Sequence, residues 1–317
     1  MLTRRAFAAS VATLVAIRSP AIAQSTPITL IVPFAAGGPT DVIGRIAADG
    51  MARALGQRIV VENVAGAGGA TGVLRAARSA PDGRTLVIGN LGTHGAAPSA
   101  TPNLPYDPQA DFEPVGLIAS TPILLVIREN LPAANLREFV ALMRDKPDAF
   151  SFGHAGQGVT SHTAALLLLS VMGARQTGVP YRGTAPALND MLAGVLDFIC
   201  DQSVIMVEQV KSGKVRALAV ASKARLASLP DVPTSAEAGL PDFAITAWNA
   251  VFAPKGTDAA IIAAYNKALG AALEEPDLRQ RLAAFDAEIP ASGEARTSEA
   301  LRRHVVSEVE RWKRIVR

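Results

Sequence analysis

Ile31-Val32-Pro33-Phe34-Ala35-Ala36-Gly37-Gly38-Pro39-Thr40-Asp41 is the stretch on which the fold turns. A β-branched strand end runs into a glycine-rich turn and then a helix start, with Pro39 suited to the first helical position and Asp41 to the first turn. The design returns in Phe150-Ser151-Phe152-Gly153-His154-Ala155-Gly156-Gln157-Gly158-Val159-Thr160-Ser161-His162. Glycine allows positive φ and close approach to the backbone, and a helix N-terminus carries N–H groups without intrahelical partners, so each turn can grip an anion. Taken alone, either stretch is also simply a tight strand-to-helix connection. Two of them suggest two grips on a carboxylate.

Outward from these turns, short β-branched runs alternate with longer helical patterns, which predicts an α/β fold on mostly parallel sheets. The expected strands are Ile28 to Val32, Arg58 to Glu62, Thr85 to Gly89, Ile123 to Ile127, Ala149 to Phe152, Leu196 to Cys200 and Val215 to Ala221. Among the helices, Asp41 to Leu55 carries Ile43, Ile46, Ala47, Met51 and Leu55 at helical spacing, and Thr163 to Met172 is apolar nearly all round. Ser298 to Arg317 reads as an amphipathic helix packed on the outside. The chain shows no fixed-period repeat, low-complexity tract or like-charge block.

Catalytic and cofactor patterns are incomplete. Gly66 and Gly68 match the first two positions of a dinucleotide fingerprint, but Thr71 stands where the third glycine belongs. His94, His154, His162 and His304 show no H-x-x-x-H metal pairing, and no G-x-S-x-G elbow precedes Ser161. A triad of Ser161, His162 and Asp201 is conceivable, yet capping at a helix start accounts for Thr160 and Ser161 without catalysis. No enzyme activity, metal or cofactor is expected.

The chain has 317 residues, 31 basic and 28 acidic, a formal excess of +3 that invites a nucleic-acid reading. Its location removes that reading. Thr3-Arg4-Arg5-Ala6-Phe7, the apolar run Ala8 to Ile17 and Ala21-Ile22-Ala23 form the pattern of a signal peptide at residues 1–23, too short to span a bilayer. The paired arginines suit either the twin-arginine or the general secretory route. Removing Arg4, Arg5 and Arg18 leaves 28 basic against 28 acidic residues in the mature chain. The single Cys200 permits no intramolecular disulfide, and its apolar surroundings mark a buried, inert thiol. A soluble periplasmic monomer with no nucleic-acid partner is expected.

One family shares the whole series of motifs. They are Pro33-Phe34 with Gly37-Gly38 and Asp41 to Arg45, Glu62-Asn63 with Gly66-Ala67-Gly68-Gly69, Pro81-Asp82-Gly83, and Leu104-Pro105-Tyr106-Asp107-Pro108. They continue through Pro180-Tyr181-Arg182-Gly183, Ala193-Gly194 with Asp197, Gly213 to Ala219, Leu229 to Thr234, and Glu237-Ala238-Gly239. From about residue 27 to the end, the chain resembles the periplasmic solute-binding proteins of the tripartite tricarboxylate transporter class, the Bug family. Val64-Ala65 stands where that family usually has Arg-Pro, and His154-Ala155 where small serines are common.

The resemblance implies a two-lobed type II periplasmic binding fold, each lobe a mixed sheet flanked by helices, with ligand in the cleft. Residues 27–124 and 225–317 would form one lobe and 125–224 the other, hinged near Ile127 and Ala221. It implies that the two turns act as pincers on a small organic carboxylate delivered to membrane transporter subunits. Phe34, Ala36, Gly37, Gly38, Thr40 and Asp41 would contribute from one pincer, and His154, Ala155, Gly156, Gly158, Thr160 and Ser161 from the other. Thr93 and His94 would line the cleft in the first lobe, Asp201 would accept an ammonium or hydroxyl, and Arg45 and Arg182 are further candidates. A sensory role with a receptor kinase, or an exported hydrolase or lyase using His154, Ser161 or His162, are the alternatives.

Overall fold

The computed structural model describes residues 26–315, so the expected signal peptide lies outside the described residues. The strands are β1 (Ile28–Val32), β2 (Ile59–Asn63), β3 (Thr85–Asn90), β4 (Phe112–Arg128), β5 (Ser151–His154), β6 (Thr177–Pro180), β7 (Phe198–Gln202), β8 (Val215–Val220) and β9 (Thr246–Pro254). The helices are α1 (Pro39–Leu55), α2 (Ala70–Ala77), α3 (Ala97–Ala100), α4 (Leu136–Asp145), α5 (Thr160–Met172), α6 (Thr184–Leu192), α7 (Ser203–Lys211), α8 (Ala259–Ala272), α9 (Pro276–Ala283) and α10 (Ser298–Ile315). A π-helical turn at Leu91–Ala96 links β3 to α3.

The strand order is β2-β1-β3-β9-β4-β7-β5-β6, with β8 also on β4. The outer strands pair in parallel, as the sequence pattern predicts, but β9 lies antiparallel to β3 and β4, and β4 antiparallel to β7 and β8. The sheets are therefore mixed rather than mostly parallel. The cause is β4 itself, whose Phe112 to Pro122 pair with β9 and whose Ile123 to Arg128 pair with β7 and β8. One 17-residue strand thus belongs to two sheets. Irregularities at Pro114/Gly116 and Leu117/Ala119 interrupt its first half, and such bulges bend and twist a strand.

A second crossing runs beside the first. Ala221 N donates to Ile123 O at 2.8 Å, and Ile245 N donates to Ala221 O at 3.1 Å just before β9 begins. Two lobes joined by neighbouring crossings, with a cleft between them, are the periplasmic binding fold. In the first lobe α1 packs on α8 so closely that a Cβ on Gly50 would lie 2.6 Å from Ala272 Cβ. The second lobe buries Leu124, Val126, Met191, Ile199 and Val215. Leu301, Val305, Val309 and Trp312 are buried along α10, whereas Val306 and Ile315 are exposed. Cys200 is fully buried, and that burial pushes its thiol well above the ordinary range.

Candidate functional site

The first pincer is shaped by Asp41 rather than by the ligand it was expected to touch. Its carboxylate accepts from Gly37 N at 2.9 Å, Asn63 Nδ2 at 2.8 Å and Arg45 Nε at 3.0 Å. Asn63 Nδ2 also donates to Phe34 O at 3.0 Å. Burial alone would raise the Asp41 carboxyl, but these bonds outweigh it and hold the group below its usual value. Arg45 Nη2 also donates to Asn63 Oδ1 at 2.9 Å, so Asp41, Arg45 and Asn63 form one bonded group. Gly37 sits at φ +79°, where a side chain would be strained.

Ser161 shapes the second pincer in the same way, its Oγ accepting from Ala155 N at 2.9 Å. His154 Nδ1 lies 2.9 Å from Gly156 O, and His162 Nδ1 accepts from Gly158 N at 3.2 Å. The two rings are 4.4 Å apart, and both histidines face their own loop. Burial lowers both, and beside His154 the His162 imidazole falls to about 4, so both are neutral at pH 7. Ser161, His162 and Asp201 therefore bond to different partners and assemble no triad, since Asp201 is engaged by Thr184 Oγ1 and by Gln202 N at 2.8 Å.

Between the pincers lies a small hollow of about 20 Å³ lined by Phe34, Gly38, Pro39, Thr40, Asn90, Ala155, Val159, Thr160, Ser161, Thr184, Asp201 and Gln202. With the lobes this close it has room for about one water molecule, so a ligand enters only as they part. Four helix starts meet there: those of α1, α5, α6 and α7, and in none does a side chain cap the first turn. Each helix start presents unpaired N–H donors and roughly half a positive charge, so four together form a strongly anion-favouring concavity without any cationic side chain. Asp201 is the one ionisable residue of the lining. Burial pushes its carboxyl up to about 6, against the bonds from Thr184 and Gln202 that pull it down.

The cleft is shut by contacts between the lobes. Gly92 N donates to Thr160 Oγ1 at 3.2 Å and Ala35 N to Arg182 O at 3.2 Å, while Phe34 packs against Ala155 and Val159.

Several expected site residues lie elsewhere. Thr93 and His94 are fully buried behind the pocket, because Thr93 N donates to the capping Asn90 Oδ1 at 3.0 Å and the His94 ring stacks on Phe252 at 4.2 Å. Burial drives His94 down to about 3, so it remains neutral. Asn90 is the residue of this strand that reaches the lining, where its Nδ2 donates to Thr40 Oγ1 at 3.1 Å. Ala36 and Gly37 form an exposed lip, Gly156 and Arg182 line a separate hollow outside the pincers, and Gly158 packs on Ala100 and Thr101. Asp41, His154 and Arg45 support the loops. Of the expected set, Phe34, Gly38, Thr40, Ala155, Thr160, Ser161 and Asp201 line the pocket. Pro39, Asn90, Val159, Thr184 and Gln202 were not expected. Only the Pro180-to-Gly183 motif, which delivers Thr184 to the start of α6, hinted at any of them. Among the described residues no group of three or more His, Cys, Asp and Glu could hold a metal, and no helix is long and apolar enough to cross a membrane.

The profile of the family described as "Tripartite tricarboxylate transporter family receptor" matches residues 43–317. The chain belongs to this family. BugT of Bordetella pertussis is 36% identical over 292 residues, 92% of this chain and 88% of BugT. Among solved structures, MatC from Rhodopseudomonas palustris with bound malate superposes with a TM-score of 0.89 at 43% identity, covering 92% of this chain and 99% of that one. An R. palustris protein solved with adipate gives a TM-score of 0.86 at 32% identity, over 91% and 95% of the two chains. These tricarboxylate-transporter receptors are periplasmic solute-binding proteins, so the fold and the pocket have a common context.

Proposed function

We propose that this protein is exported to the periplasm, closes its two lobes on a small organic dicarboxylate of about four to six carbons, and presents it to the membrane subunits of a tripartite tricarboxylate-type uptake system. The observation that carries the reading is the convergence of four uncapped helix starts on one pocket with no cationic side chain. Hydrogen bonds to a charged group contribute about 1.5–3 kcal/mol each, so a few per carboxylate support micromolar affinity after the costs of association and closure. The malate and adipate held by the solved relatives set the expected size.

In this reading residues 27–122 and 245–317 form one lobe and 123–244 the other, because Leu226, Leu229 and Val232 pack with Leu124, Val126 and Ile199 rather than with the first lobe, which moves the boundaries from the expected 124 and 225. The hinge lies at Pro122–Ile123, where β4 changes partners, and at Ala221, slightly earlier along β4 than Ile127. Ligand contacts to both lobes favour the closed population by their differential affinity.

The test is thermal unfolding of the mature chain with succinate, malate and adipate, and with succinamide as a neutral control. A ligand at 100 times its dissociation constant stabilises by about 2.7 kcal/mol, a rise of roughly 5 °C for a chain of this size. At least one dicarboxylate is expected to give that rise and succinamide none. Equal shifts from acid and amide, or none from any acid, would remove the reading.

A further inference from the structure

Gln202 ends β7 and is paired with Ile123, the first residue of β4 beyond its change of partners. It is 2% exposed and lines the pocket. Its Oε1 accepts from Thr121 Oγ1 at 2.7 Å and from Asn249 Nδ2 at 2.9 Å. Thr121 lies on the first-lobe half of β4 and Asn249 on β9, so both strands that join the lobes hold one side-chain carbonyl. A carbonyl oxygen has two lone pairs and both are engaged, which fixes the plane of the amide. The reverse orientation would set the Gln202 NH2 against the Asn249 NH2, donor against donor. The NH2 group thus remains as a donor on the pocket side.

We infer that Gln202 is a ligand-reading residue whose NH2 donates to a carboxylate oxygen of the bound ligand while its carbonyl, clamped by Thr121 and Asn249, ties that contact to the hinge. The inference rests on the dicarboxylate reading above and adds the residue that joins ligand to hinge. Thr121 and Asn249 do not line the pocket, so they act as positioning residues through Gln202. Pocket-floor selectivity then has two adjacent elements, a donor at Gln202 and an acceptor at Asp201.

Calorimetric titration of the full mature chain with malate, succinate and adipate tests this, with ligand-free melting temperatures measured in parallel. Gln202→Glu keeps an acceptor for Thr121 and Asn249 but replaces the donor by an anionic oxygen, and is expected to weaken binding at least about a hundredfold. Thr121→Val leaves every pocket-lining group in place and is expected to weaken binding about fivefold, while Thr121→Ser, which keeps the hydroxyl, restores it to within about twofold. A purely structural role for Thr121 would move the melting temperature and leave affinity alone. Binding by Gln202→Glu within about threefold of wild type, or a Thr121→Ser protein as weak as Thr121→Val, would overturn the inference. If the wild-type protein bound none of the three acids, the parent reading would fail and this one with it.

Discussion

Gly92→Ala is expected to lower carboxylate affinity about a hundredfold while leaving the ligand-free protein as stable as before. A Cβ at Gly92 would lie 2.6 Å from Thr160 N, 2.7 Å from Val159 Cα and 3.0 Å from Val159 C. All three are backbone atoms of the opposite lobe, which cannot rotate away. Gly92 does not occupy the positive-φ region, and it sits in a helical turn where alanine is the better residue. The substitution therefore costs nothing while the lobes are apart and is felt only when they meet. Overpacking against a rigid wall costs about 1–3 kcal/mol, and backbone contact places this case at the upper end, which converts to the stated loss. Titration with the tightest dicarboxylate measures it, and small-angle scattering shows whether ligand still contracts the molecule. If the variant bound as tightly as wild type and contracted as far, the Gly92 contact would have no part in closure.

Asp201→Asn is expected to act in opposite directions on stability and on ligand choice. The Asp201 carboxyl, raised by burial to about 6 from an ordinary 3.8, stays protonated in the folded chain between roughly pH 4 and 6 while the unfolded chain has released its proton. Stability therefore falls as pH rises through that window and is lowest above it. The neutral amide removes this penalty. Ligand-free Asp201→Asn should be more stable than wild type by about 2–3 kcal/mol at pH 8 and no more stable at pH 4, as measured by urea unfolding. The difference between the two proteins isolates Asp201, because the lowered histidines and the lowered Asp41 and Glu113 titrate alike in both. Binding should change the other way. A carboxylate acceptor lost to malate's hydroxyl is worth about 1.5–3 kcal/mol, so malate should weaken about 10- to 100-fold and succinate, which lacks the hydroxyl, less than threefold. Equal losses for both acids would show that Asp201 does not read that position.

The two strand-to-helix turns are legible because each is built by local chemistry: a strand, glycines able to take positive φ, and a helix start all lie within a dozen residues. Their inner geometry was not. His154, next to a glycine turn, looks like a cleft residue, yet Phe152 and His162 beside it and the Gly156 backbone turn the ring into its own loop. His94 shows the same failure, since its direction is set by Phe252 and Phe112, more than 15 positions away along the chain. The first half of β4 was hidden by Pro114, Gly116 and Pro122, which read as breaks but fall at bulges or at the end of its pairing with β9. In β9, Ala247 to Pro254 are all buried, so no polar alternation marks the strand. Asn90, Thr184 and Gln202 sit in unremarkable local sequence, and only the strand order brings them to one pocket.

Charge carries the same lesson at a larger scale. The formal excess of +3 resides in Arg4, Arg5 and Arg18, and the remaining chain is balanced. A neutral body has little long-range field for gathering anions, and the pocket lining holds no cation, so in the proposed reading selectivity for a carboxylate comes from backbone dipoles aimed at one point.

That claim is tested most directly by isothermal titration calorimetry of the chain from Gln24 onward with malate, succinate and adipate. One of these acids should bind with one-to-one stoichiometry and a dissociation constant on the order of micromolar, about −8 kcal/mol. The absence of binding by all three at millimolar concentration would contradict it.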